Sequence, residues 1–125
     1  MIVHYLTLAG STVTPNGIDM PPRTLGLITT IILGAVRDGH RHGADIMVAT
    51  GEGGGTVYKV LRRLEARRLI QGRWEDAGIA ERERRPRRRY YRITREGETE
   101  LVRALERYRR VVSTGLGRTT LERGR

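Results

Sequence analysis

Val57, Val60, Leu61 and Leu64 recur at helical spacing within the stretch Gly54 to Leu69, while Lys59, Arg62, Arg63 and Arg67 fall on the other sides of the same helix. This segment constrains the fold more than any other in the chain. Its apolar stripe needs a core to cover it, and its basic remainder needs water or a polyanion. Glycines at 51 and 53 to 55 supply the turn before it, and Thr56 is an acceptable N-cap that leaves the first backbone N–H groups free to meet a phosphate. The layout is that of a recognition helix.

The net charge is +10, and its placement agrees with that reading. Residues 1 to 50 carry three Arg against three Asp, for zero; residues 51 to 95 carry fourteen Lys and Arg against six acids, for +8; residues 96 to 125 carry seven against five, for +2. One contiguous block therefore holds most of the excess, which is the electrostatic footprint of phosphate-backbone binding. Anionic membrane is the weaker competitor, because no basic helix pairs its charge with a broad face of Trp, Phe or Leu and Phe is absent. The apolar run Leu25 to Val36 is too short to span a bilayer, and Met1 to Thr14 lacks a signal-peptide pattern. With 125 residues and no cysteine, the chain reads as one domain without disulfides or thiolate metal sites. A cytoplasmic, nucleoid-associated protein is expected.

Around the central helix the other elements follow in order. Met1 to Met20 reads as an N-terminal extension, with Ile2 to Leu8 a short strand, Ser11 to Gly17 a turn or loop, and the whole a flexible arm; Met20 is an alternative start. A first helix is expected from about Thr24, its cap, to Arg37, with Leu25, Ile28, Ile31, Ile32 and Val36 forming an apolar face wide enough to meet a second subunit. Gly43 to Thr50 reads as a shorter helix with Ile46 and either Val48 or Ala49 inward, completing a helix-turn-helix. Ile70 to Glu75 and Arg88 to Thr94 alternate as strands, and the polar stretch Asp76 to Arg87 between them makes a basic wing loop, expected to be mobile until phosphate neutralises it. Thr94 then caps a last helix in which Leu101, Leu105, Tyr108 and Val112 form a narrow seam for a partner helix, with Ile28 and Ile32 of the first helix as further dimer contacts. Residues 115 to 125 read as a flexible tail. The expected architecture is mainly α with a small two-stranded wing: a winged helix-turn-helix over residues 21 to 95 and a dimerisation helix over 96 to 114.

Two local motifs in this order resemble the PadR family of bacterial transcriptional regulators. Gly55-Thr56-Val57-Tyr58 followed by Leu61, Arg63-Leu64-Glu65 and Leu69-Ile70 resembles the family's Gly-Thr-Leu-Tyr segment, and Arg87 to Thr94 with Gly97 is similar to its wing strand and the start of its final helix. His42-Gly43 with Ile46 also matches, although Ala44 stands where the family has Tyr and Arg68 where a Gly ends the recognition helix. The likeness covers roughly residues 24 to 112. A single C-terminal helix resembles the short-form members, which dimerise through their first and last helices and bind palindromic operators. Some members respond to phenolic or drug-like ligands, but the resemblance carries no effector to this chain.

The functional expectation is a homodimeric, sequence-specific regulator of double-stranded DNA, most simply a repressor. Thr56, Tyr58, Lys59, Arg62 and Arg63 are the candidate contacts of the helix, and Arg84, Arg85, Arg87 and Arg88 those of the wing. Of Tyr90 and Tyr91, which alternation sends to opposite faces, at least one should be core, and Trp74 should pack. His40, His42, Asp38 and Asp45 match no metal-ligand spacing, and neither metal nor cofactor is expected. Gly51 to Lys59 lacks both the kinase Gly-x-Gly-x-x-Gly spacing and a Walker Gly-Lys-Ser/Thr, so an enzyme is not expected. The rival reading is a basic winged-helix adaptor for RNA or a protein partner without operator specificity, and a third is a ligand-sensing dimer whose inter-subunit cavity matters more than its DNA.

Overall fold

The structure is a computed structural model that describes residues 24 to 116 and, ahead of them, the backbone of three short strands. Those strands, β1 (Leu6–Leu8), β2 (Ser11–Val13) and β3 (Asp19–Met20), form an antiparallel sheet in the order β1-β2-β3. Ser11 to Val13 is thus a strand and not part of a turn, in keeping with the β-branched Thr12 and Val13. The rest of the expected flexible arm, and the tail from residue 117 on, lie outside the described residues.

Five helices and a two-stranded sheet follow: α1 (Leu27–Arg37), α2 (Gly43–Thr50), α3 (Gly54–Ala66), β4 (Ile70–Trp74), α4 (Ala77–Arg82), β5 (Arg89–Ile93) and α5 (Arg95–Val111), which runs on into a π-helical turn, Val112–Leu116. The first helix starts three residues later than Thr24, because the Gly26 carbonyl accepts both the amide (2.9 Å) and the hydroxyl (2.8 Å) of Thr30. The third starts at Gly54 after an N-cap Gly53, so Thr56 is an exposed first-turn residue and caps nothing. On α2 Ile46 is buried with Gly43 and Met47 packs partly buried against the core; Val48 and Ala49 are both exposed.

One core joins these elements. Leu25, Ile32, Leu33 and Val36 meet Ile46, the four apolar residues of α3, Ile70 and Tyr91 of the sheet, and Leu101 and Ala104 of α5. This corrects two of the expected dimer contacts. Ile32 and Leu101 are wholly covered within the protomer and have no side-chain surface left for a partner.

The sheet pairs Ile70 with Ile93 at one end and Trp74 with Arg89 at the other. A third, one-residue strand joins it where His42 bridges Tyr90, and the Tyr91 amide donates to the Arg41 carbonyl at 2.7 Å. The start of α2 is thereby fixed to the wing. At the far end, the loop expected to be mobile contains α4, whose N-cap Asp76 accepts from the Gly78 amide at 2.7 Å.

Three helices end in the same motif, a 6→1 and a 5→2 backbone hydrogen bond around a left-handed residue. At α1 that residue is Gly39 (φ 101°), at α3 it is Arg68 (φ 61°) and at α4 it is Arg84 (φ 54°). A side chain in this region costs about 1–2 kcal/mol that glycine avoids. Arg68→Gly is therefore expected to raise stability by about 1 kcal/mol, less the extra entropy of glycine in the unfolded chain. Urea titration followed by circular dichroism measures the change, and a loss of stability would contradict the strained geometry.

Candidate nucleic-acid interface

Burial of Val57, Val60, Leu61 and Leu64 fixes how α3 is turned. At 100° per residue, the stripe opposite them is Gly55, Lys59, Arg62 and Ala66, and all four are exposed. Only Lys59 and Arg62 reach outward from it, since the residues at its two ends have almost no side chain. Tyr58 and Glu65 lie on the flank towards the sheet, and Thr56 and Arg63 lie on the opposite flank, both exposed. Among the described residues, none of Lys59, Arg62 and Arg63 has an ion-pair partner.

Tyr58 is half-exposed and at the same time seated on α2. A Cβ built on Gly43 would overlap its ring, so the glycine at the start of α2 is the floor on which Tyr58 rests. Glu65, on the same flank, pairs with Arg89 of β5 and ties the helix to the wing.

The wing is organised by Glu75, which sequence reasoning does not single out. Its side chain is buried and accepts from four donors. Arg85 binds both oxygens, Nη1 to Oε1 at 2.7 Å and Nη2 to Oε2 at 2.8 Å; the Tyr90 hydroxyl donates to Oε2 at 3.2 Å and the Arg88 amide to Oε1 at 3.3 Å. The backbone of Glu75 is engaged as well: its amide donates to the Arg88 carbonyl at 2.8 Å, and its carbonyl accepts from Arg87 Nε (3.0 Å) and Nη2 (2.8 Å). Arg85 is held from its other side by Glu83, 2.7 Å from Nε. The available signal in the sequence is an acid at the end of a strand facing an arginine-rich return, a pairing ten residues long.

This wiring divides the expected wing contacts. Arg85 and Arg87 are spent on Glu75 and hold the wing in shape. Arg84 is exposed and Arg88 is half-exposed, and neither guanidinium has a carboxylate among the described residues. Trp74, expected to pack, is 55% exposed, with the guanidinium groups of Arg87 and Arg89 lying 5.6 and 5.4 Å from its ring centre. Tyr91 is the core member of the tyrosine pair, and Tyr90 turns outward to Glu75.

The hydrogen bonds from Arg85 bring the Glu75 carboxyl down to about 2, outweighing the burial that pushes it up, and Glu75 in turn raises the Arg85 guanidinium. Because the folded value lies below the ordinary 4.5, this group's stabilisation is full above about pH 4.5 and is lost as pH falls from there towards 2. Stability is therefore expected to decline over that window in the wild type. Glu75→Gln should be less stable at neutral pH and show a flatter decline; equal acid profiles in the two proteins would refute the role given to this carboxyl. His42, which accepts from the Asp45 amide through Nδ1 (3.4 Å) and so caps α2, is shifted down by burial and by Arg88, which keeps it an acceptor.

Among the described residues, no helix is long and apolar enough to cross a membrane. A family model described as the transcriptional regulator PadR-like family matches residues 32–103. Of solved structures, the chain is 25% identical to a PadR family transcriptional regulator from Eggerthella lenta, with a TM-score of 0.57 over 74% of this chain and 80% of that one. A PadR family regulator from Clostridium difficile is 24% identical, with a TM-score of 0.57 over 69% of this chain and 91% of that one. Bacillus subtilis PadR, solved in complex with operator DNA, is 24% identical, with a TM-score of 0.54 over 64% of this chain and 48% of that one. No curated protein matches the sequence.

Proposed function

The chain belongs to the PadR-like family of transcriptional regulators, and from that premise we propose that it is a homodimeric repressor, working in the cytoplasm, that binds a palindromic operator sequence-specifically. Each protomer lays α3 in a major groove with the wing beside it. The observation that carries this reading is the outward stripe of α3, where Lys59 and Arg62 stand unpaired between Gly55 and Ala66 next to a wing that offers Arg84 and Arg88. Lys and Arg are the side chains that read guanine in the major groove, while the flank and wing arginines suit phosphate contacts. A solved relative from Bacillus subtilis in complex with operator DNA supports the choice of DNA as partner.

Dimerisation is supported by the apolar surface that the protomer leaves open. Leu27, Ile28 and Ile31 of α1 and Val102, Leu105 and Val112 at the C-terminal end are all more than a third exposed. Such a surface is costly for a lone monomer and suits a second copy. Tyr108 borders it and donates its hydroxyl to the Leu25 carbonyl at 3.1 Å, which fixes α5 against the start of α1. Leu105→Glu is expected to give monomers in sedimentation, since it would bury a charge.

The test of function is fluorescence-anisotropy binding to the duplex upstream of the gene and to a scrambled duplex of equal length, across a salt series. The upstream duplex should bind tighter by at least about a thousandfold, with a steep salt dependence on both. Equal binding to both, and to structured RNA, would replace this reading with an operator-independent adaptor.

A further inference from the structure

Resting on the DNA-binding reading, we propose that the outer face of the wing sheet is a second phosphate-backbone surface, which carries duplex flanking the operator half-site. Strand alternation separates the two faces of β4 and β5. Ile70, Tyr91 and Ile93 turn inward to the core, and Arg89 on the same face goes to Glu65. Gln71, Arg73, Tyr90 and Arg92 are left on the outer face, where Arg73 is paired with Tyr90 and Gln71 with Arg92 in the register. Arg41 joins them from the segment before α2, its guanidinium 5.5 Å from the Tyr90 ring centre.

The charge on this face is uncompensated. Five arginines are matched to acids: Arg37 to Asp38, Arg85 to Glu75 and Glu83, Arg89 to Glu65, Arg103 to Glu100 and Arg109 to Glu106. Among the described residues, Arg41, Arg73 and Arg92 have no such partner, and Arg92 has only the Gln71 amide oxygen at 3.3 Å. One open hollow is bordered by Arg41, Arg67, Arg68, Arg73, Arg88 and Arg92. Arg85 borders it as well, held by Glu75 and Glu83, and with Glu65, Asp76 and Glu96 the carboxylates number five against seven arginines, so the hollow keeps a positive excess. Arg73 and Arg92 lie on a diagonal, each opposite a neutral residue, so both guanidinium groups are open to an anion on this face.

Continuity identifies the anion. Arg67 and Arg68 close the C-terminal end of α3 and Arg88 belongs to the wing, so the hollow reaches from the end of the recognition helix onto the outer face. A stiff polyanion that enters beside α3 is the occupant this band fits, and the flanking duplex of the same DNA molecule is at hand at high effective concentration.

The experiment compares the full-length protein with Arg73→Gln/Arg92→Gln and with a control of equal charge change on α5, Arg103→Gln/Arg110→Gln. The probes are the inverted repeat within the segment upstream of the gene that the protein protects from DNase I, trimmed to its two half-sites, and the same repeat lengthened by about fifteen base pairs, roughly one and a half turns, on each side. Wild type and control should bind the longer probe tighter by about tenfold or more, and the Arg73/Arg92 variant should lose that gain together with about two units of salt slope, while binding the short probe as wild type does. Wild type binding both lengths alike, or the variant keeping the gain, overturns the proposal and leaves the operator reading intact; an acidic protein would then be the better occupant. Wild type protecting no segment at all overturns both.

Discussion

Gly97→Ala is expected to lower folding stability by about 3 kcal/mol, the upper end of what overpacking a core usually costs. The reason is what the new methyl would meet. A Cβ on Gly97 falls on the carbonyl oxygen of Leu69 and within 2.8 Å of Ile93 Cγ1. The carbonyl is backbone, already accepting from the Thr94 amide at 3.0 Å, and cannot swing aside. The first turn of α5 would have to lift off the sheet. That would break the Thr94 hydroxyl's bond to the Arg68 carbonyl (2.8 Å) and its cap on the Gly97 amide (3.0 Å). Leu101 and Ala104, one and two turns further along, would be drawn out of the core with it. Gly43→Ala is the contrasting case, because the Cβ there meets only the Tyr58 ring, which can rotate away. Denaturant titrations should rank the two clearly, with Gly43→Ala folded and altered chiefly in DNA binding. A Gly97→Ala protein as stable as wild type would mean that α5 does not sit where it is described.

Lys59→Ala combined with Arg62→Ala is expected to reduce the preference for operator over scrambled duplex by about a thousandfold, taking about 2 kcal/mol for each base-reading side chain removed. The size follows from the emptiness of the rest of the stripe. With Gly55 and Ala66 at its ends, the outward stripe of α3 has no other long side chain. Arg63→Ala should behave differently, weakening both duplexes in proportion, because its place on the flank suits a phosphate. Anisotropy on both probes at one fixed salt concentration separates the outcomes. A double variant that still discriminates would move specificity to the wing or to the shape of the DNA.

Much of this is legible from residue spacing. The buried face of α3, the strand pair with one of its two tyrosines inward, the Thr94 cap and the family all follow from local patterns, which the chain obeys. The misreadings share one physical cause: spacing shows that a residue needs a partner without showing which. Arg85 and Arg87 look like free charge in the sequence because Glu75 lies ten and twelve residues away, one acid among arginines. That same pairing lets the wing loop fold around α4 where composition suggests only charge repulsion. Ile32 and Leu101 belong to apolar stripes that a sequence cannot divide between the protomer's own core and a neighbour. Thr24 and Thr56 have the side chains of caps, yet Gly26 and Gly53 hold those positions, since a bare backbone carbonyl can open a helix without a side-chain oxygen. At Arg68 the resemblance points to a glycine site, and the left-handed backbone there shows why glycine suits it.

The single bridge between His42 and Tyr90, with the Tyr91 amide on the Arg41 carbonyl, has a consequence for how the molecule comes apart. The strand that carries the wing cannot peel away without also freeing the segment that leads into α2. Fraying of the wing and undocking of the helix-turn-helix are in that case one cooperative opening, with a single free energy. The Tyr91 amide would then exchange with solvent deuterium only as fast as that larger unit opens, so the half of the fold that meets DNA shares a common lifetime.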